Sequence, residues 1–257
     1  MARRVTDKAW RQYTKRLEAQ RDAASKDAYD WVMRHADADG VDMRACRKMM
    51  VTASMYHGRA TSALAASWFD QVAEVEKADA VKALVVNDAP DVRAKRMAIA
   101  SNRSLPKLLA GDVEGFATAI AAAVAADVKR QATNTIVFNA AKNGAEFAWI
   151  PGGDETCAFC IALASNGWQR ASKESALGAH ADHIHDNCMC EFAIRFNDDT
   201  SYSSYDADKY AQMYEDADGR SSKDKINSMR RDLYAENKDK INAQHRERYA
   251  ALHGSDE

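Results

Sequence analysis

Apolar residues recur at three- and four-residue spacing along most of the first 145 residues, which predicts long amphipathic helices. Ser104-Leu-Pro106 predicts the start of a separate short helical turn, because proline suits a first helical position. Asn143-Gly144 is typical of a helix C-terminus and predicts the end of the fourth. The sequence therefore predicts a helical N-terminal domain over residues 1–145, with helices at 6–35, 43–72, 91–101 and 113–143.

The pattern changes after residue 145. Residues 146–150 form a short β-like run that ends at Pro151-Gly152-Gly153, and residues 190–196 form a second, alternating one, which predicts two short β-strands. Three histidines lie between these strands, and four of the five cysteines lie between them or at their edge. We therefore predict a small α/β module over 146–196 that is built around a metal ion.

The last segment contains an internal repeat. Lys223-Asp-Lys-Ile-Asn227 recurs fifteen residues later as Lys238-Asp-Lys-Ile-Asn242. Fifteen residues make about four helical turns, so equivalent residues return to one face of a continuous helix. Residues 197–257 are thus predicted to form an acidic linker, with a short helix at 205–215, and a helical tail. The tail is polar enough to be a solvated helix, and it could equally dock on a partner or on a second copy of the chain.

Composition supports a mainly α fold and excludes several classes of protein. Apolar residues make up 46% of the chain and charged residues 29%, which is ordinary for a globular protein. Three prolines and eleven glycines are too few for many short strands. The longest apolar run, 119–126, is too short to cross a bilayer, and the charged N-terminus does not resemble a secretory signal. We expect an intracellular chain with no membrane partner.

The net charge of −2 conceals an uneven distribution. Residues 1–50 hold 12 Lys and Arg against 8 Asp and Glu, whereas residues 191–257 hold 11 against 15. The basic N-terminal region admits two interpretations, a solvated set of helix faces or a contact with DNA or another acidic partner.

The cysteines and one histidine have the spacing of a zinc site. Cys157-Ala-Phe-Cys160 is followed, after 24 residues, by His185-Asp-Asn-Cys188-Met-Cys190. Pairs separated by two residues let a tight turn direct both donors at one ion, and thiolates with an imidazole favour tetrahedral Zn²⁺. We predict Cys157, Cys160, His185 and Cys188 as ligands, with Cys190 as the substitute for Cys188. Four protein ligands leave no position for water, so the zinc is expected to be structural.

Two other functions use the same region. Asp182-His183 beside the predicted zinc site is similar to the Asp-His pair of an HNH nuclease, although the downstream Asn and His of such a nuclease are missing. A zinc-bearing DNA-binding regulator is the other alternative, but no helix with clustered Arg, Asn and Gln lies beside the cysteines. Cys46 stands apart from the other cysteines and is expected in the core.

Residues 154–190 resemble the C-terminal signature of Mu F-like phage minor head proteins. That signature is D-x-x-C-x-x-C-x-x-L-x-G followed by H-x-x-C-x-C, and the chain matches it at Asp154, Cys157, Cys160, Leu163, His185, Cys188 and Cys190. An Asn-rich helix (Asn134, Asn139, Asn143) and a Trp-bearing strand (Trp149) lie upstream, as they do in such proteins. The chain departs from the family pattern at Gly167, which comes two residues late, and at Ala158, Asp186 and Met189.

The resemblance implies a structural protein of a phage head, without enzymatic activity or a small-molecule substrate. Its expected partners are the portal protein, the major capsid protein or both, with packaged DNA as a further partner of the basic N-terminal region. Its expected location is the virion, and the host cytoplasm during assembly. Its expected role lies in head assembly, DNA packaging or DNA ejection.

Overall fold

The computed structural model describes residues 5–38, 40–76, 81–152, 156–170 and 190–253, the last fourteen of these as backbone only. Within that part of the chain, seven helices surround a small antiparallel sheet. The helices are α1 (Asp7–His35), α2 (Met43–Glu76), α3 (Pro90–Leu109), α4 (Val113–Asn143), α5 (Ala158–Ala164), α6 (Ala207–Glu215) and α7 (Ser222–His253). The strands are β1 (Glu146–Ile150), β2 (Gln169–Arg170) and β3 (Glu191–Arg195).

The predicted mainly α fold is confirmed, with one correction in α3. The prediction of a helix that ends at residue 101, followed by a separate turn, is wrong, because α3 continues through Pro106 to Leu109. Pro106 lies in the last turn, where the loss of one amide donor removes little of the helix. The buried positions Arg93, Met97, Ser101 and Ser104 form one continuous face against α2 and α4, so tertiary packing keeps the helix intact.

A row of polar side chains on α4 holds an extended segment over residues 81–89. Asn139 accepts a hydrogen bond from the Leu84 amide at 2.8 Å and donates one to the Leu84 carbonyl at 2.7 Å. Thr135 accepts from the Val86 amide at 3.2 Å and donates to its carbonyl at 2.9 Å. Gln131 accepts from the Asp88 amide at 2.8 Å. The side chains of α4 thereby replace the neighbouring strand that an extended segment ordinarily needs.

The match between helix and segment is geometric. Residues 131, 135 and 139 are four apart, which corresponds to a rise of about 6.0 Å along a helix. Residues 84, 86 and 88 are two apart, which corresponds to about 6.6 Å along an extended chain. Because the two repeats nearly coincide, three successive side chains meet three successive peptide groups in register.

The sheet packs against the helices in one shared hydrophobic core. The strand order is β2-β1-β3, and β1 pairs antiparallel with β3 in the register Phe147↔Ile194 and Trp149↔Phe192. The core runs from Trp10 and Trp68 on the first two helices through Ile136 on α4 into these strands. The strands β1 and β3 of the predicted module therefore pack directly on the helical part.

The segment after the sheet returns to α5. The predicted short helix and continuous C-terminal helix are present as α6 and α7. Ile226, Met229 and Leu233 of α7 pack with Ala158 and Ile161 of α5 in a small second cluster. No helix of the described residues has the length and apolar character required to span a bilayer.

We predict that Asn139→Ala lowers the free energy of unfolding by about 1–3 kcal/mol, because it removes both hydrogen-bond partners of the Leu84 peptide groups. Chemical denaturation measures the change. Lys142→Ala on the exposed face of the same helix is the control and should be nearly neutral. Equal effects of the two substitutions would contradict the role of the polar row.

Gly58 of α2 provides a second prediction, because helix propensity and packing point in opposite directions there. Propensity alone predicts that Gly58→Ala stabilises α2 by about 1 kcal/mol. A Cβ at this position would however lie 2.8 Å from Arg93 Nη1 and 2.9 Å from Gln131 Cγ, and both side chains are held by buried hydrogen bonds. We expect net destabilisation by about 1–3 kcal/mol in thermal or chemical unfolding. A stabilised variant would show that the neighbours yield freely.

Candidate metal centre

Cys157 and Cys160 lie at the start of α5, where the C-x-x-C spacing forms a helix N-terminus. Cys157 is the N-cap residue, and its Sγ accepts a hydrogen bond from the Cys160 amide at 3.4 Å. Cys160 lies one turn further on and is 1% exposed. Amide donors at a helix N-terminus stabilise a thiolate, which is the form of cysteine that binds metal ions.

Cys190 lies directly before β3 and is 2% exposed. Since β1 and β3 are antiparallel, the residues that follow β1 and those that precede β3 lie at the same end of the sheet. The chain leaves β1 at Ile150 and reaches Cys157 seven residues later. The topology therefore directs both predicted halves of the metal site toward one end of the sheet, and Cys157, Cys160 and Cys190 all belong to or pack against the same core.

His185 and Cys188, the other two predicted ligands, lie outside the described residues, as does His183 of the nuclease alternative. Within the described ranges, no three His, Cys, Asp or Glu side chains form a group that could hold a metal ion. Cys157, Cys160 and Cys190 thus do not form such a group by themselves. Thiolates are suitable zinc ligands, but the zinc site and its ligand set stay a prediction.

Lys129 of α4 reaches the Cys190 backbone from inside the core. Its side chain donates a hydrogen bond to the Cys190 carbonyl oxygen, although the residue is only 2% exposed. The ammonium group also lies 5.6 Å from the centre of the Trp149 ring, a cation–π contact. A buried cation is costly unless polar partners compensate it, so this contact fixes the Cys190 backbone to the central helix.

Aromatic side chains of the linker cover the same region. Burial raises the pKa of the Tyr210 hydroxyl on α6, and the nearby Cys190 and Asp206 raise it further. Tyr205 donates to the Ala164 carbonyl at 2.7 Å, at the end of α5, and burial raises its pKa to about 12. Both tyrosines therefore stay protonated at neutral pH and contribute packing, and in the case of Tyr205 a hydrogen bond, rather than charge.

A buried ionic cluster between α2, α3 and α4 was not predicted from the sequence. Arg93 is 1% exposed, donates to the Ser54 carbonyl at 2.7 Å, and lies 3.9 Å from Asp127. Asp127 also pairs with Arg96 at 2.6 Å, and Arg96 bridges to Asp88 at the end of the extended segment, again at 2.6 Å. The sequence does contain a signal for this cluster. Polar residues recur every four positions on one face of α4, at Asp127, Gln131 and Thr135.

In this cluster, the cost of burying each charge is offset by neighbouring groups of opposite charge or by hydrogen bonds. Burial alone would raise the pKa of Asp88, but the Gln131 hydrogen bond and the charge of Arg96 bring it below its usual value. Burial lowers the pKa of Arg93, while Asp127 and Asp88 oppose that shift. With each charge paired and hydrogen-bonded, the cluster is built to hold three helices and the extended segment together.

Comparison with known proteins identifies the family. The family model described as VG15 protein matches residues 4–217. This range includes helices α1 to α6 and the sheet, and it ends before α7. Neither a curated protein nor a solved structure matches the chain. The chain belongs to the VG15 protein family, a family of phage gene products.

Proposed function

We propose that the chain is a structural minor head protein of a tailed phage, associated with the portal protein or the inner face of the capsid and acting in head assembly, DNA packaging or DNA ejection. The observation that carries this proposal is the resemblance of residues 154–190 to the Mu F-like signature, on a chain that belongs to a phage family. The proposed mechanism is binding, without an enzymatic step, and the proposed location is the virion.

The structure supports this proposal through the position of the signature. The cysteines of the first half follow β1, and Cys190 precedes β3 at the same end of the sheet. A closed zinc site made by Cys157, Cys160, His185 and Cys188, or by Cys190 in place of Cys188, would fix the two chain segments that leave this end. The bound zinc would supply a rigid cross-link in the place of a disulfide, which an intracellular protein does not ordinarily form.

We also propose that the basic N-terminal region contacts packaged DNA. Helix α1 already uses some of its positive charge internally, since Arg21 pairs with Glu191 at 3.2 Å and Lys26 with Asp30 at 2.5 Å. Lys8, Arg11 and Arg16 remain on its exposed or half-exposed face.

The zinc proposal predicts about one Zn²⁺ per chain, the stoichiometry of a single closed site. Metal analysis by mass spectrometry of the purified full chain measures it. Cys157→Ser/Cys160→Ser should lose the metal and the stability that depends on it, whereas Cys46→Ala, which removes a thiol buried between helices, should keep the metal. A folded, metal-free wild-type chain, or full zinc content in the double variant, would refute the site.

The portal proposal predicts a complex of defined ratio when the chain is co-expressed with the portal protein of the same phage. Size-exclusion chromatography with mass determination measures the ratio. If the zinc site positions the docking loops, Cys157→Ser/Cys160→Ser should weaken the complex, while Cys46→Ala should leave it unchanged.

A well-folded, zinc-loaded chain that forms no complex with the portal or major capsid protein would contradict the head-protein proposal. The HNH-like nuclease is the alternative in that case. It requires cleavage of DNA with Mg²⁺, Mn²⁺ or Ni²⁺ that disappears in His183→Ala, and the absence of cleavage with all three ions would remove it.

A further inference from the structure

A groove between α3 and α4 has three arginines at its edges. Arg96, Arg103 and Arg130 line it, and its volume is about 340 Å³. Its floor is formed by small side chains of α4, Ala119, Ala123 and Ala126. Asp127 is the acidic residue of the lining, and Arg96 is paired both with Asp127 and with Asp88, each at 2.6 Å, so Arg103 is the exposed cation of the lining. The groove therefore combines an apolar floor with an excess of positive charge.

The positive charge continues along α3 in a straight row. Arg96, Arg103 and Lys107 are seven and four residues apart, which places them within about 40° of one another around the helix. The row is about 16 Å long at 1.5 Å per residue. Arg103 and Lys107 are exposed, and no carboxylate of the described residues pairs with Arg103. Lys107 lies 3.9 Å from Asp112, a weak surface pair.

The surrounding surface has the same sign. Residues 43–69 of α2 contain four Lys and Arg and no acidic residue. Helix α3 has three exposed cations, Lys95, Arg103 and Lys107, against Asp91, while its Arg93 and Arg96 are paired within the ionic cluster. The chain as a whole has a net charge of −2, so this concentration is local. Ile99, 53% exposed, adds an apolar contact at the edge of the groove.

We propose that the α3–α4 groove binds the phosphodiester backbone of nucleic acid. A row of cations suits a linear polyanion better than a single small anion, and about 16 Å is the length of duplex axis occupied by about five base pairs, at about 3.4 Å per phosphate of one strand. Guanidinium groups bind phosphate in a bidentate manner, and the alanine floor lets a sugar approach the helix closely. The binding is expected to be independent of base sequence, because the described residues that line the groove include no Asn or Gln. This inference does not depend on portal binding or on zinc.

The test is fluorescence anisotropy of the full chain with a labelled DNA duplex of arbitrary sequence over a range of salt concentrations. Arg103→Gln/Lys107→Gln should weaken binding at about 0.1 M salt by at least tenfold and reduce the slope of log K against log salt by about 1.8. Arg220→Gln/Lys223→Gln, the same change of charge at exposed positions beside the start of α7, is the matched control and should bind as wild type does.

Three results would overturn the proposal. Wild-type chain that does not bind the duplex at low salt has no such site. A double variant at 103 and 107 that binds as wild type does would place the contact elsewhere, for example on α1, whose charges it leaves unchanged. Polyglutamate that displaces the duplex as well as unlabelled DNA does would show that the groove accepts an acidic polypeptide. Thermal unfolding of both variants confirms that the exposed substitutions leave the fold intact.

Discussion

The rest of the helical part depends on the hydrogen bonds and ion pairs made by the polar face of α4. An extended segment inside a helical protein has peptide groups that no strand can satisfy, and leaving them unpaired costs more than most single contacts contribute. Thr135 and Asn139 each form hydrogen bonds with both the amide and the carbonyl group of one residue of the segment. The same face continues to Asp127, whose ion pairs reach α3. One face of one helix thus determines where the segment lies and where α3 packs, and a hydrophobic face could have done neither.

The sheet depends on the same helices rather than on its own size. Three strands with at most five residues each are marginal by themselves. Trp149 and Phe192 are buried against the helical core, and the Arg21–Glu191 pair ties β3 to α1 at 3.2 Å. The described strands of this region, β1 and β3, therefore have a core without a zinc ion. In this arrangement, its proposed contribution is local, at the end of the sheet where the chain leaves β1 and enters β3.

Features that repeat within one element could be predicted from the sequence, whereas contacts between elements could not. Apolar spacing located α1, α2 and α4 closely, and alternation located β1 and β3, because each signal is contained within its own element. Pro106 was misinterpreted because its weak local effect is outweighed by a buried face that only the tertiary structure reveals. The Arg93–Asp127 cluster was missed for a similar reason, since its charges look like solvent-exposed ones until the helices meet. The cysteine spacing predicts a zinc site, and this stays a prediction because its ligands His185 and Cys188 lie outside the described residues.

Consecutive residues of α4 serve different regions, and this separates the proposed contacts. Lys129 points to the Cys190 backbone, Arg130 lines the groove beside α3, and Gln131 holds the extended segment. Successive residues on a helix are about 100° apart, so three neighbouring side chains face three directions without competing. A loss of the proposed zinc would act through β3 and Lys129, whereas the groove is built by α3 and α4 alone. The proposed binding at the sheet end and the proposed binding in the groove should therefore be separable by substitution, although both regions are built on the same helix.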